Sequence, residues 1–147
     1  MNKSESKYFN GHTNIADDKF LCFGVKGLMD TNEKLRNAML FNILSYMSNA
    51  LIGVGNTVAA IDELYLFLSN LTTIEYIRNS MKRVRKRDSI VILASQNIED
   101  FLIPSIREFT KPLFSIPTHQ FLFYPGQINP KEYMDCLLYT SPSPRDT

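Results

Sequence analysis

The sequence predicts an α/β fold, a parallel sheet flanked by helices, and three observations carry that expectation. Two aliphatic runs of strand length, residues 57–61 and 89–94, each end in polar residues, Asp62-Glu63 and Ser95-Gln96. Between them, and again before the first, lie stretches whose apolar residues recur at spacings of three and four, the pattern of a helix with one buried face. Alternation of strand, helix, strand, helix and strand favours parallel strands joined by right-handed crossovers.

Taken in order, residues 20–25, Phe-Leu-Cys-Phe-Gly-Val, form the first expected strand, after a polar turn that contains Gly and Asn. A helix follows, with Asp30 and Glu33 as a capping-box pair and Leu35, Met39, Ile43, Met47 and Leu51 as its buried stripe. That stripe reads as core, not as a surface for a cofactor. Gly53 to Asn56 breaks the helix before the strand at 57–61. Residues 70–87 form the next expected helix, packed through Ile74, Ile77, Met81 and Val84, with Thr72 as N-cap and Glu75 three residues later. After the strand at 89–94, Ile98 to Leu102 begins a helical or looped segment that Pro104 interrupts or restarts. Residues 116–124 supply the last strand, closed by Pro125-Gly126, and Pro112, Pro117 and Pro125 predict irregular backbone in that region.

Chemistry concentrates at the carboxyl ends of the two central strands. In P-loop ATPases of the glutamate-switch kind, a buried strand delivers an Asp to the shell of a magnesium ion and a following Glu to the attacking water. Asp62 and Glu63 fit those two roles; the competing assignment has them merely opening a helix, where carboxylates favour the positive end of the dipole. Gln96 ends the neighbouring strand, and ligands of parallel sheets collect beyond the carboxyl ends, so its amide can reach a γ-phosphate or the water. Otherwise it caps the strand and enters a loop. Between the two strands, six of the ten residues 78–87 are Lys or Arg. They read as a solvated helix face that complements the dipole, as a nucleic-acid patch, or as the source of a phosphate-sensing arginine. No aromatic residues interleave with them to stack on bases.

Residues 58–68, 76–88 and 90–102 together resemble the large TraE-type, VirB-class ATPase of conjugative transfer and type IV secretion machines. The likeness extends through Phe9-Asn10-Gly11-His12-Thr13-Asn14-Ile15 and through residues 111–119, Lys-Pro-Leu-Phe-Ser-Ile-Pro-Thr-His, and so covers most of residues 8–135. The resemblance implies that residues 1–135 are the C-terminal part of a RecA-like P-loop NTPase domain that uses ATP and Mg2+. Asp62-Glu63 would then be the Walker B motif, Asp62 orienting the magnesium ion through water and Glu63 polarising the hydrolytic water. Ser95-Gln96 resembles the Thr-Gln sensor shared with DNA-pumping relatives, Ser95 standing where Thr is commoner, and both would contact the nucleotide. Those relatives carry an Arg-Lys pair shortly before the sensor strand, and Arg85-Lys86 occupies the matching place. This implies Arg85 as an arginine finger between subunits, with Arg83 and Arg87 as rivals. The resemblance further implies a homo-oligomer, hexameric in the parent, that works with secretion or conjugation components at the inner face of the membrane. The location would be cytoplasmic, with peripheral membrane association through those partners, and DNA is a further expected contact. A DNA-pumping coupling protein or chromosome-segregation ATPase shares the acidic pair and the sensor and is the alternative, beside a non-catalytic interaction module.

A Gly-x-x-x-x-Gly-Lys-Ser/Thr loop occurs nowhere in the 147 residues. Gly24 and Gly27 flank Lys26 at the wrong spacing, and Gly53-Val54-Gly55 is followed by Asn56-Thr57 and not by a lysine. Without that lysine and its backbone nest a triphosphate has no cradle, so the chain is expected to be inactive alone. The resemblance puts the loop upstream of Met1, with the central strand of a sheet ordered 5-1-4-3-2 missing here. An empty lane would then separate the sensor strand from the last strand.

Residues 136–146, Cys-Leu-Leu-Tyr-Thr-Ser-Pro-Ser-Pro-Arg-Asp, resemble a translated transposase-library sequencing adapter, and residues 136–147 are expected to be an artefactual or disordered tail outside the fold. Sixteen basic and 15 acidic side chains leave a net charge of +1, so global charge selects no partner. Cys22 and Cys136 are the only cysteines, and His12 and His119 are isolated, which excludes a disulfide framework and a zinc site of ordinary spacing. No run approaches the length of a membrane span, and residues 1–7, Met-Asn-Lys-Ser-Glu-Ser-Lys, do not read as a signal peptide.

Overall fold

Two runs of small and β-branched residues become the only paired strands among the described residues. A computed structural model describes residues 9–12, 15, 18–123, 129–131 and 133–134. In it β1 (Val58–Ile61) and β2 (Ile90–Leu93) lie side by side and parallel, in register from Val58 with Ile90 to Ile61 with Leu93. Neighbouring parallel strands at these two places are what the alternating pattern predicted. Ala59, Ile61, Val91 and Leu93 face inward, whereas Val58, Ala60, Ile90 and Ile92 form an exposed aliphatic face.

The chain divides into two compact units, Met1–Ile43 and Leu44–Thr147. The first holds a 3-10 turn at Lys26–Leu28 and the start of helix α1 (Glu33–Ser48), whose residues from Leu44 onward belong to the second. The helix start is capped by Asn32, whose Oδ1 accepts from the Leu35 amide at 2.9 Å, and not by the expected Asp30. Asn32 stands immediately before the first helical residue, where its short side chain reaches the third amide of the turn; Asp30 lies too far back. Of the expected stripe Leu35 and Leu51 are buried, whereas between them the buried line is displaced by one position: Leu40, Leu44 and Ser48 are buried, while Met39, Ile43 and Met47 are half-buried. Residues 20–25 do not form the expected first strand: among the described residues no strand pairs with them, and Phe20 is left 85% exposed.

The second unit carries the sheet and its helical cover. A π-helical segment, Asn49–Val54, ends at Gly55, whose φ of 81° and ψ of −179° are reserved for glycine in practice. Helix α2 (Leu71–Arg83) buries Ile74, Ile77 and Met81 as their spacing predicted, and continues into a 3-10 turn, Val84–Arg87, that buries Val84. Its N-cap is Asn70, whose side chain accepts from the Thr72 amide at 2.9 Å; the expected cap, Thr72, is already inside the helix. Ser48 and Ser80 join the end of α1 to α2 through hydroxyls 3.2 Å apart.

Beyond β2, a 3-10 turn at Glu99–Phe101 precedes helix α3 (Arg107–Ser115), which packs on α2. Thr110, fully buried, donates to the Phe101 carbonyl at 2.6 Å, and the Phe101 and Phe114 rings meet edge-on at 5.0 Å. Pro112 sits inside α3, where irregular backbone was expected; the helix forgoes one amide there, and its C-cap residue, Ile116, donates to the Pro112 carbonyl at 3.0 Å. The expected last strand does not form over 116–123: Pro117 has no amide to give a ladder, and Phe121 and Phe123 are more than four-fifths exposed. Tyr124, Pro125, Gly126, Thr13, Asn14 and the suspected tail at 136–147 lie outside the described residues.

Candidate functional site

The parallel ladder does not stop with the strands. Ala94 donates to the Ile61 carbonyl at 2.9 Å and accepts from the Leu64 amide at 3.0 Å, so the chain leaves β1, bows outward over two residues and is pinned again to the end of β2. Those two residues are Asp62 and Glu63. Leu64 and Phe67, both buried, anchor the 3-10 turn that follows, Leu64–Phe67.

Fixed at both sides, Glu63 adopts a left-handed conformation, φ 54° and ψ 51°, which is uncommon for a residue with a Cβ. Asp62 stabilises it locally, its Oδ1 accepting the Glu63 amide at 3.0 Å. Held this way, the Glu63 carboxylate meets the end of the adjacent strand, where the Gln96 side-chain amide donates to Glu63 Oε1. Both strand tips therefore turn to the same end and the same side of the sheet and touch. Asp62, Ser95 and Gln96 are exposed and Glu63 is half-buried, so the arrangement is an open rim with two carboxylates and an amide facing solvent. The assignment of Asp62-Glu63 as the opening of a helix is met only in part: the pair precedes a four-residue 3-10 turn, and no side chain caps it.

Arg85 does not join this constellation within one chain. It lies in the 3-10 turn Val84–Arg87, before β2, at the amino ends of the strands, and Arg83, Lys86 and Arg87 are exposed there with it. Four residues of strand separate the two ends, about 13 Å at the usual rise.

The starts of the strands have their own clamp, which the sequence reading missed. Ser89, buried, donates to the Leu51 carbonyl at 2.8 Å and accepts from the Thr57 amide at 3.2 Å. Asn56 donates to the Arg87 carbonyl at 2.8 Å, and Ile90 to the Thr57 carbonyl at 2.9 Å. A hydroxyl residue beside a strand start was the available signal, since it can serve a backbone group the ladder leaves over. This clamp sets the register in which the two tips meet.

Among the described residues, no group of three or more His, Cys, Asp and Glu side chains could hold a metal ion. A magnesium ion of the nucleotide-bound kind does not need one, because it keeps water and phosphate oxygens and takes one or two carboxylates. Asp62, exposed just beyond β1, fits that smaller requirement. No helix among the described residues is long and apolar enough to cross a membrane. No family model, curated protein or solved structure matches the chain.

Proposed function

We propose that this chain carries the hydrolytic half of a nucleotide site, from a P-loop ATPase of the conjugative-transfer and type IV secretion kind. The observation that carries the reading is the meeting of Glu63 and Gln96 across two neighbouring parallel strands. Mixed α/β structure with a parallel sheet is common to many activities, and fold alone selects none of them. An acidic pair and an amide converging beyond the carboxyl ends of adjacent strands are what phosphoryl transfer to water asks for.

In this reading Asp62 holds the water shell of the Mg2+ that accompanies ATP, and the ion neutralises charge on the phosphates when bound. Glu63 accepts a proton from the attacking water. Gln96 orients the Glu63 carboxylate and, with Ser95, contacts the terminal phosphate. The left-handed backbone at Glu63 fixes the direction of its side chain before any ligand arrives, which favours the reaction by removing a reorganisation step. Arg85, at the far end of the strands, serves a neighbouring subunit of a homo-oligomer. The triphosphate cradle is supplied from outside these 147 residues, and the chain alone hydrolyses nothing.

The test is Glu63→Gln in the ATPase that joins this segment to a phosphate-binding loop. Loss of a general base lowers turnover by about 10²–10⁴-fold, and nucleotide binding is expected to persist. Turnover that survives the substitution would remove Glu63 from the chemistry.

A further inference from the structure

The amino-terminal end of the sheet carries a feature the nucleotide reading leaves mostly unused. Lys82, Arg83, Arg85, Lys86 and Arg87 are all exposed, and they occupy the end of α2 and the 3-10 turn that follows it. None is in an ion pair among the described residues, where Lys111 with Glu108 is the only pair formed. Val84, buried, fixes the turn to the core, and the Arg87 carbonyl accepts from the Asn56 amide, so the cations project from a turn anchored at both ends.

Four acidic residues of this unit are gathered at the opposite end of the sheet. Asp62, Glu63, Glu99 and Asp100 follow the carboxyl tips of β1 and β2. The strand length between, about 13 Å, exceeds the Debye length of about 8 Å at physiological salt, so the acidic tip does not neutralise the basic rim. In the sequence Asp88 directly adjoins the five cations. A chain of net charge +1 thus presents a concentrated positive end.

We infer that this rim binds the phosphate backbone of a nucleic-acid duplex without reading its sequence. Three of the five cations are arginines, whose planar fork pairs bidentately with phosphate. In a 3-10 turn successive residues point about 120° apart, so Arg85, Lys86 and Arg87 fan out around the turn and can reach separate phosphates. Residues 77–93 contain no aromatic side chain, which disfavours single strands held by stacking. Among the described residues that flank the strand starts, the exposed apolar ones are Val54, Val58 and Ile90, none of them the Trp, Phe or Leu anchor that seats a protein in a lipid surface.

Fluorescence anisotropy on two 30-base-pair DNA duplexes of unrelated sequence, with the full chain, tests the inference between 50 and 200 mM salt. Five phosphate contacts give a slope of log affinity against log salt of about −4.5, a loss of roughly 500-fold over that range, equal for both sequences. In Lys82→Ala/Arg83→Ala/Lys86→Ala/Arg87→Ala, which leaves Arg85 in place, the slope falls to about −0.9 and the loss over the range to about 3.5-fold. Arg83→Lys/Arg87→Lys keeps the slope and so separates charge from folding. Absence of binding at 50 mM salt, a slope unchanged in the quadruple variant, or tighter binding to phosphatidylserine-containing vesicles than to the duplex would each overturn it.

Discussion

Gly55→Ala removes nothing from the chain and adds one methyl group, yet the geometry predicts a large loss of stability. At φ 81° and ψ −179° the backbone lies in a region that side-chain-bearing residues enter at a cost of about 1–3 kcal/mol. The added Cβ would also stand 2.9 Å from the Arg87 carbonyl oxygen, a backbone atom that cannot swing aside. Moving that carbonyl weakens the bond it accepts from the Asn56 amide at 2.8 Å, worth about 1 kcal/mol. Together these give a destabilisation of roughly 2–4 kcal/mol, and a melting temperature lowered by about 5–15 °C for a domain of this size. Gly53→Ala, two residues away, is the internal control. No atom lies within 4 Å of its would-be Cβ and its φ is not positive, so the same methyl group is expected to be neutral or stabilising by up to about 1 kcal/mol. Urea unfolding followed by circular dichroism measures both, and the slope with denaturant should be shared by the two variants. Equal midpoints for Gly55→Ala and Gly53→Ala would refute the close approach between the two strand starts.

Other substitutions test the elements that place the site. Ser89→Ala leaves the Leu51 carbonyl and the Thr57 amide without their hydroxyl partner and should cost about 1–3 kcal/mol in the same unfolding assay. Asn70→Ala removes the cap of α2 and should cost about 1 kcal/mol, clearly more than Thr72→Ala, a ranking opposite to the capping-box expectation. Lys111, hydrogen-bonded to Glu108 and adding its charge, lowers the Glu108 pKa below its usual value, with Arg107 contributing. The folded state therefore favours the ionised carboxylate: the stabilisation is present above the unfolded pKa and disappears as pH falls through the lower folded value. Glu108 is exposed, so the stability difference between Glu108→Gln and the parent sequence is expected to be small, to shrink with added salt and to vanish in acid.

The sheet was legible because its two strands are continuous aliphatic runs with polar residues at their ends, and such runs have few alternatives. The buried positions of α2 and the turn that extends it were legible for the same reason, since Ile74, Ile77, Met81 and Val84 keep one face over about three turns. Helix starts were not. Asp30 and Asn32, or Asn70 and Thr72, are equally good caps by type, and only the path of the backbone decides which oxygen meets an amide. The outer strands failed differently, because strand propensity has no effect without a neighbour to complete the ladder, and nothing in residues 20–25 or 116–123 encodes whether a neighbour exists. At the site, the residue types and their order named Asp62, Glu63 and Gln96. What the sequence could not give was the left-handed turn at Glu63, which arises because Leu64 is drawn to the Ala94 carbonyl while Ile61 stays in the core.

The claim on which the functional reading rests is that the tips of β1 and β2 act on one ligand. A double-mutant cycle on steady-state ATP hydrolysis, with Glu63→Gln, Gln96→Ala and the pair together in the ATPase that includes a phosphate-binding loop, measures it directly. The account predicts that the paired variant loses little more activity than Glu63→Gln alone, because Gln96 works through the same carboxylate and phosphate. Losses that multiply, as for two independent sites, would contradict it.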